Sequence, residues 1–371
     1  MEPGAALILP TAAMKGLSVI QVQLGDRSYP IHIGGGAWEI LTERFLGDKG
    51  PGKIMLVTDE KVHSLYSGEI GSMVKGSNRP AELHVIPEGE SSKSFQRLED
   101  LCRALARSGL DRDSLLVSLG GGVVGDLAGL AASLYLRGIK VVQVPTTLLA
   151  MVDSSTGGKT GINLPEGKNQ VGTFYQPVAV IADTNVLGTL EPKDWYSGMA
   201  EVLKIALTLD PDLFDYLEGV IDLGPEGDVD RQLIVDTACR RKAEVVTMDE
   251  MESGPRLVLN FGHTLGHALE STMNYGGIRH GEAVAVGMRA ALSLSRKMAG
   301  LQEDTFRRAM KLVSRIPVPE VRVDRDFQEF LARDKKRAGG RIRCILLEDI
   351  GRCSTVFLDD PGELVRAFES P

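Results

Sequence analysis

Residues 260 to 282, NFGHTLGHALESTMNYGGIRHGE, hold three of the chain's six histidines: His263, His267 and His280. Imidazoles gathered near carboxylates are the material of a divalent-metal site. On a helical wheel Phe261, Leu265, Ala268 and Leu269 form a buried stripe, and His263, His267 and Glu270 fall together on the opposite side. In GMAEVLKIAL (198–207) the buried stripe is Met199, Val202, Leu203, Ala206 and Leu207, which leaves Glu201 and Lys204 on a shared face. His280 opens a third helix, whose N-terminal dipole disfavours imidazolium and favours the neutral form that binds metal. Two histidines and a carboxylate with an open fourth position make a catalytic zinc set, and iron, cobalt or manganese accept the same ligands. Spacing alone does not choose the three. The i, i+4 pair His263/His267 is the simplest choice, as in HExxH, but the intervening Glu base is absent. A polar helix face carrying solvated histidines is the plain alternative.

A second set of residues suits a phosphate. SLGGGVVGDLAG (118–129) follows an apolar strand and opens a helix, with Gly120, Gly122 and Gly125 in a GxGxxG pattern. Such glycines let backbone N–H groups approach a phosphate at a positive helix end. As a dinucleotide fingerprint the pattern is incomplete. It follows a late strand, and no acidic residue stands about 20 positions on to hold a ribose. A tight strand–helix turn explains it slightly better when it is taken alone. However, PEGESSKS (87–94), VPTT (144–147) and DSSTGGKTGINLPEGKNQVG (153–172) also follow predicted strands, at the sheet end where α/β proteins bind ligands. The last segment begins at Asp153 and carries Lys159 and Lys168 among Gly, Ser, Thr and Asn, which reads as an anion-binding loop rather than a linker.

The elements that must position these residues follow from the pattern. LSVIQVQL and YPIHI flank GDRS and predict an opening hairpin. Strand-like runs then alternate with helices near 60–75, from about Ser94 and from Val123, so the first half predicts a parallel sheet covered by helices. The alternation fades after Asp183, and residues 192–315 read as mostly helical. The expected organisation is a disordered extension over 1–16, a Rossmann-like α/β domain over 17–186, and a mainly α-helical domain over 187–371. With 43% hydrophobic and 25% charged residues the chain is globular. Its net charge of −8 argues against nucleic acid as a partner but leaves room for a small anion. Four scattered cysteines, with no CxxC pair, fit reduced thiols in a cytoplasm. No apolar stretch is long enough to predict a membrane span.

Taken together, PEGESSKS, GGGVVGD, LRG, VPTTLLAMVDSSTGGKTGIN, GKNQVGTFYQP, GMAEVLKIAL, RKAEVVTMDEMESGPRLVLNFGHTLGHALE, RHGEAVAVGM and DKK resemble the 3-dehydroquinate synthase family of sugar phosphate cyclases. The similarity runs from about Val57 to Gly351. It implies metal ligands at Glu201, His263 and His280 in place of the i, i+4 pair, with one Zn2+ or Co2+. It implies NAD lying across the glycine turn, at Asp59, Glu90, Lys93, Gly121, Gly122, Val123, Asp126, Thr146, Thr147, Lys159, Lys168, Val186, Leu187 and Thr189. No role follows for Glu270. Two departures concern the cofactor's edge: Lys61 stands where the family often has Asn, and TLE (189–191) replaces TLP.

The family's substrate is 3-deoxy-D-arabino-heptulosonate 7-phosphate, a small anionic sugar phosphate. The resemblance implies its conversion to 3-dehydroquinate and phosphate in the shikimate pathway. The implied steps are transient oxidation by NAD, β-elimination of phosphate, reduction, ring opening and an intramolecular aldol. Lys242 and Arg256 would serve the carboxylate. Lys159, Asn169, Arg137 and Lys335 or Lys336 would serve the phosphate, with Arg137 reaching across a homodimer interface. Asp153, Lys204, Asn260 and His267 complete the implied catalytic set. Cations embedded in apolar or glycine-rich motifs fit a ligand better than bulk water. The alternatives are a metal-dependent NAD polyol or alcohol dehydrogenase, another sugar phosphate cyclase, and a non-catalytic descendant. The compact set Lys242, Arg256, Asn260 and His267 distinguishes the synthase from the first two, and the intact ligand set argues against the third.

Overall fold

The computed structural model describes residues 16–273, 277–321, 341–360 and 362–369. Nearly all of the expected N-terminal extension, and Lys335 and Lys336, lie outside them. The predicted hairpin is present, with β1 (Ser18–Val22) antiparallel to β2 (Tyr29–Gly34). A short turn of helix α1 (Trp38–Ile40) leads on to β3 (Ile54–Asp59), α2 (Glu60–Gly76), β4 (Ala81–Ile86), α3 (Phe95–Arg107) and β5 (Leu115–Gly120). Next come α4 (Gly122–Leu134), β6 (Lys140–Pro145), a hairpin β7 (Lys159–Leu164) and β8 (Gly167–Phe174), and β9 (Ala179–Asp183).

Seven strands form one sheet in the order β1-β2-β9-β6-β5-β3-β4, parallel throughout except for the opening pair. Strand alternation accounts for its two covered faces. Met55, Val57, Leu116 and Val141 point to α3 and α4, while Ile54, Leu56, Leu115, Val117 and Val142 point to α2 and residues 40–46. This is the doubly covered α/β layer that the sequence predicts.

Beyond the sheet run α5 (Pro192–Leu209), α6 (Pro211–Gly219), α7 (Arg231–Met248), α8 (His263–Thr272), α9 (His280–Met298) and α10 (Glu303–Val313). The face of β1 and β2 that carries Ile20, Val22, Tyr29 and Ile31 packs into the same core as Trp195, Leu203, Ile234 and Val246. The opening hairpin is therefore fastened to the helices.

Two expectations need correction. The glycine-rich stretch 153–172 is largely the β7–β8 hairpin rather than a loop. Its alternating TGINL and NQVGTF support pairing, and Gly172 allows the close approach: a Cβ there would meet the Thr160 carbonyl oxygen at 2.0 Å. The helical half also contains an antiparallel pair, β10 (Ile342–Asp349) with β11 (Arg352–Leu358), that the helical reading missed. Among the described residues no helix is long and apolar enough to cross a membrane.

Candidate active site

The C-terminal ends of β3, β5 and β6 and the N-terminal ends of α8 and α9 line one cleft of about 1930 Å³. Small-molecule pockets are typically ~300–1,000 Å³, so this one has room for two ligands side by side.

On the sheet side, α4 starts at Gly122 with no side-chain cap, which leaves its first N–H groups for a ligand or water. A Cβ at Gly122 would sit 3.0 Å from Ser154 Oγ and narrow the floor. Thr146 Oγ1 is buried at the same edge without a hydrogen-bond partner. Lys93 is buried; it pairs with Asp126 at 2.6 Å and donates to Asn169 Oδ1. Asp59 caps α2 by accepting from Val62 N at 2.8 Å. Glu90, Gly121, Val123, Thr147, Lys168 and Thr189 also line the cleft. The side chains of Val186 and Leu187 do not; they are buried in the core. The two departures at this edge meet each other, Lys61 donating to Glu191 Oε1 at 2.6 Å. An uncapped helix start, an unpartnered hydroxyl and flanking lysines fit a dinucleotide's phosphates and riboses.

On the helical side, three helices converge. Glu201 lies on α5, which is buried nearly all round, so Glu201 and Lys204 are 1% and 2% exposed rather than on a solvent face. Glu201 Oε1 lies 3.7 Å from His263 Nε2 and 3.5 Å from His280 Nε2. Ligands at ~2.0–2.1 Å in a tetrahedral shell stand about 3.4 Å apart, so these separations suit one cation. Glu201 Oε1 has no hydrogen-bond partner, whereas Oε2 accepts from Lys204. Each imidazole has its other nitrogen engaged: His263 Nδ1 is 3.2 Å from the Phe261 carbonyl, and His280 Nδ1 is 3.2 Å from Glu270 Oε2. Gly281 permits the convergence, since a Cβ there would fall 2.1 Å from the Ser197 carbonyl oxygen on α5.

The wheel placed the polar face of α8 correctly but not its surroundings. Phe261 precedes the helix, and His263 and Glu270 are buried. His267 is exposed in the cleft and belongs to a second group with Glu270 and His280. With no cation between them, the two carboxylates beside His280 act against the helix dipole. Burial pushes its imidazole down, but the carboxylates of Glu201 and Glu270 more than offset this and lift it to about 10.

Cations gather between these two sides. Lys242 donates to the Asp153 carbonyl at 2.5 Å and to its carboxylate. Burial pushes the Asp153 carboxyl up, but Lys242 and Lys204 outweigh it and hold it far below the usual carboxylate range. The buried Arg256 donates to the Glu250 carbonyl at 2.5 Å and the Gly157 carbonyl at 3.3 Å. Glu252, a residue that the sequence reading passed over within ESGPR, contacts the Lys159 ammonium and accepts from Asn260 at 2.7 Å. Its one visible signal in the sequence is its place beside Arg256. Arg137 stands outside this cleft, exposed, with φ +67° after Leu136 at +50°.

Known proteins match the chain along most of its length. Residues 83–197 match the family described as 3-dehydroquinate synthase N-terminal, and residues 198–337 match 3-dehydroquinate synthase C-terminal. A 3-dehydroquinate synthase of Acidithiobacillus ferrooxidans is 45% identical over 339 residues, covering 89% of this chain and 92% of that one. A structure of 2-deoxy-scyllo-inosose synthase, complexed with carbaglucose-6-phosphate, NAD+ and Co2+, matches with TM-score 0.84 and 26% identity over 95% of this chain and 99% of that one. The 2-epi-5-epi-valiolone synthase of Streptomyces hygroscopicus subsp. jinggangensis, with NAD+ and Zn2+ bound, matches with TM-score 0.80 and 29% identity over 98% of this chain and 99% of that one. On sequence and fold, the chain belongs to the 3-dehydroquinate synthase family.

Proposed function

We propose that this chain converts 3-deoxy-D-arabino-heptulosonate 7-phosphate to 3-dehydroquinate and phosphate, as a carbon–oxygen lyase using NAD and one Zn2+ or Co2+. The observation that carries the reading is the Glu201–His263–His280 triangle, which faces Lys159, Lys204, Lys242 and Arg256 in the cleft that also holds the glycine turn. Glu201 Oε1 and the two Nε2 atoms would hold the cation, and the α4 start with Thr146 and Lys93 would hold the dinucleotide. When bound, the dinucleotide supplies a reversible hydride acceptor and the cation a Lewis acid.

The chain's own residues bind and orient the substrate. Lys242, fixed by Asp153, and Arg256, fixed by two backbone carbonyls, present positive charge to the substrate carboxylate. Lys159 and Asn169 serve the phosphate. His267, open to the cleft beside the ligand cluster, offers a ring nitrogen to a substrate hydroxyl. The departing phosphate can take the adjacent proton itself, so the protein's task is orientation and charge stabilisation. Arg137, on its strained exposed turn, would complete the cleft of a second copy in a homodimer. Four free cysteines support a reducing, cytoplasmic setting.

The test is turnover with NAD+ present well below the substrate concentration. The reading expects complete conversion to 3-dehydroquinate, identified by NMR, with no build-up of NADH absorbance. NADH accumulating in proportion to substrate consumed would contradict it and favour a dehydrogenase.

A further inference from the structure

Glu270 carries no role in the reaction described above, yet it is 2% exposed and fully engaged. Its two oxygens face opposite sides of the cleft. Oε2 lies 3.2 Å from His280 Nδ1, and Oε1 accepts from Lys168 Nζ at 2.7 Å. His280 opens α9, whereas Lys168 lies on β8, so one carboxylate joins the helical half to the β7–β8 hairpin. A buried carboxylate is costly unless it is fully partnered, and both of these partners are cleft residues.

We propose that Glu270 is a positioning residue that fixes the Nδ1–H tautomer and ring plane of His280 for cation binding while holding Lys168, so that cation loading and hairpin docking are linked. This rests on the metal reading of the Glu201–His263–His280 triangle. A neutral imidazole that gives its Nδ1 proton to Glu270 must present the Nε2 lone pair toward Glu201 Oε1, 3.5 Å away. His263 achieves the same with the Phe261 carbonyl, a backbone partner two residues away. Of the two imidazoles, His280 alone relies on a side chain that is itself tied across the cleft. Linkage is reciprocal: a cation that orders His280 orders Glu270 and Lys168, and a docked hairpin favours the cation.

The test needs neither substrate nor NAD. Co2+ affinity is measured by competition with a chromophoric chelator, together with the visible Co2+ absorption band, for wild type and Glu270→Gln. The expectation is an affinity about 10- to 100-fold weaker and an altered band, with unchanged far-UV circular dichroism. Hydrogen exchange of residues 159–174 is then compared with and without Zn2+. Zn2+ slows it in wild type and leaves it unchanged in Glu270→Gln. Should Glu270→Gln fail to fold, Lys168→Met gives the second arm, with Zn2+ no longer slowing exchange in the hairpin. Unchanged Co2+ affinity in Glu270→Gln, or Zn2+-induced protection that persists in either variant, overturns the proposal. So does a second Co2+ per chain lost in both Glu270→Gln and His267→Ala, which would make Glu270 a ligand. A wild type that binds no Co2+ overturns the metal reading instead.

Discussion

Replacing Lys204 by Met separates the two tasks of Glu201. Lys204 and Glu201 are 2% and 1% exposed and bonded to each other on α5. Burial pushes the Glu201 carboxyl up, but Lys204, followed by His280 and His263, brings it down to about 2. Removing one partner of a buried ion pair strands the other, at a cost of ~3–5 kcal/mol. Protonated His280, 3.5 Å from the second oxygen, compensates in part, which places the loss near the lower figure, about 3 kcal/mol. With a urea m-value of about 3 kcal/mol/M, the unfolding midpoint of chelated Lys204→Met falls by about 1 M. A bound dication takes over the compensation of Glu201, so the loss in Zn2+-loaded protein shrinks to about 1 kcal/mol or less. The sign with pH follows from the depressed carboxyl. The pair's contribution is full above the ordinary value of 4.5 and fades as pH falls toward 2, so wild type and variant converge in acid. The assay is urea unfolding followed by circular dichroism, with chelator and with Zn2+. Equal losses in both conditions would refute the argument that Lys204 and the cation compensate the same carboxylate.

Gly281→Ala puts a methyl 2.1 Å from the Ser197 carbonyl oxygen, so α9 must move off α5 and carry His280 with it. Zn2+ affinity should fall about 10-fold or more, and wild-type affinity by chelator competition would contradict this. Gly157→Ala, at φ +96° with its Cβ 2.4 Å from Arg256 Nη2, should displace the guanidinium and raise KM about 10-fold or more, an effect absent if steady-state kinetics stay unchanged. Burial and the charges of Arg256 and Lys242 lower Lys159 to about 8, with the Asp153 carboxylate opposing them. Its positive charge is thus lost as pH rises through 8, and KM for the anionic substrate should climb about 10-fold between pH 7 and 9. Lys159→Arg should flatten that limb, and an identical climb in both proteins would exclude Lys159 as its source.

Much of this was legible because the relevant signals are local. Apolar strands followed by glycine turns predict the sheet and the end at which ligands bind, and the α5 and α8 wheels put Glu201, Lys204, His263 and His267 on polar faces. What the sequence could not convey was which polar faces meet. The i, i+4 spacing favours His263 with His267, yet α5 and α9 approach so closely at Gly281 that Glu201 Oε1 comes within 3.7 Å of His263 and 3.5 Å of His280. Glu252 was missed, and Glu270 was placed on the polar face of α8 without a role, for the same reason. Each is an ordinary acid in sequence and gains meaning only when Lys159 with Asn260, or Lys168 with His280, is brought to its carboxylate. The β7–β8 hairpin was hidden by its glycines, which resemble loop composition but here serve close strand pairing.

Phosphate release from 3-deoxy-D-arabino-heptulosonate 7-phosphate, measured on chelated protein to which NAD+ and Zn2+ or Co2+ are returned singly and together, tests the central claim most directly. The account predicts one phosphate per substrate only when both are present, with NAD+ sufficing at a small fraction of the substrate concentration. Phosphate release that proceeds without either one, or none at all when both are supplied, would contradict it.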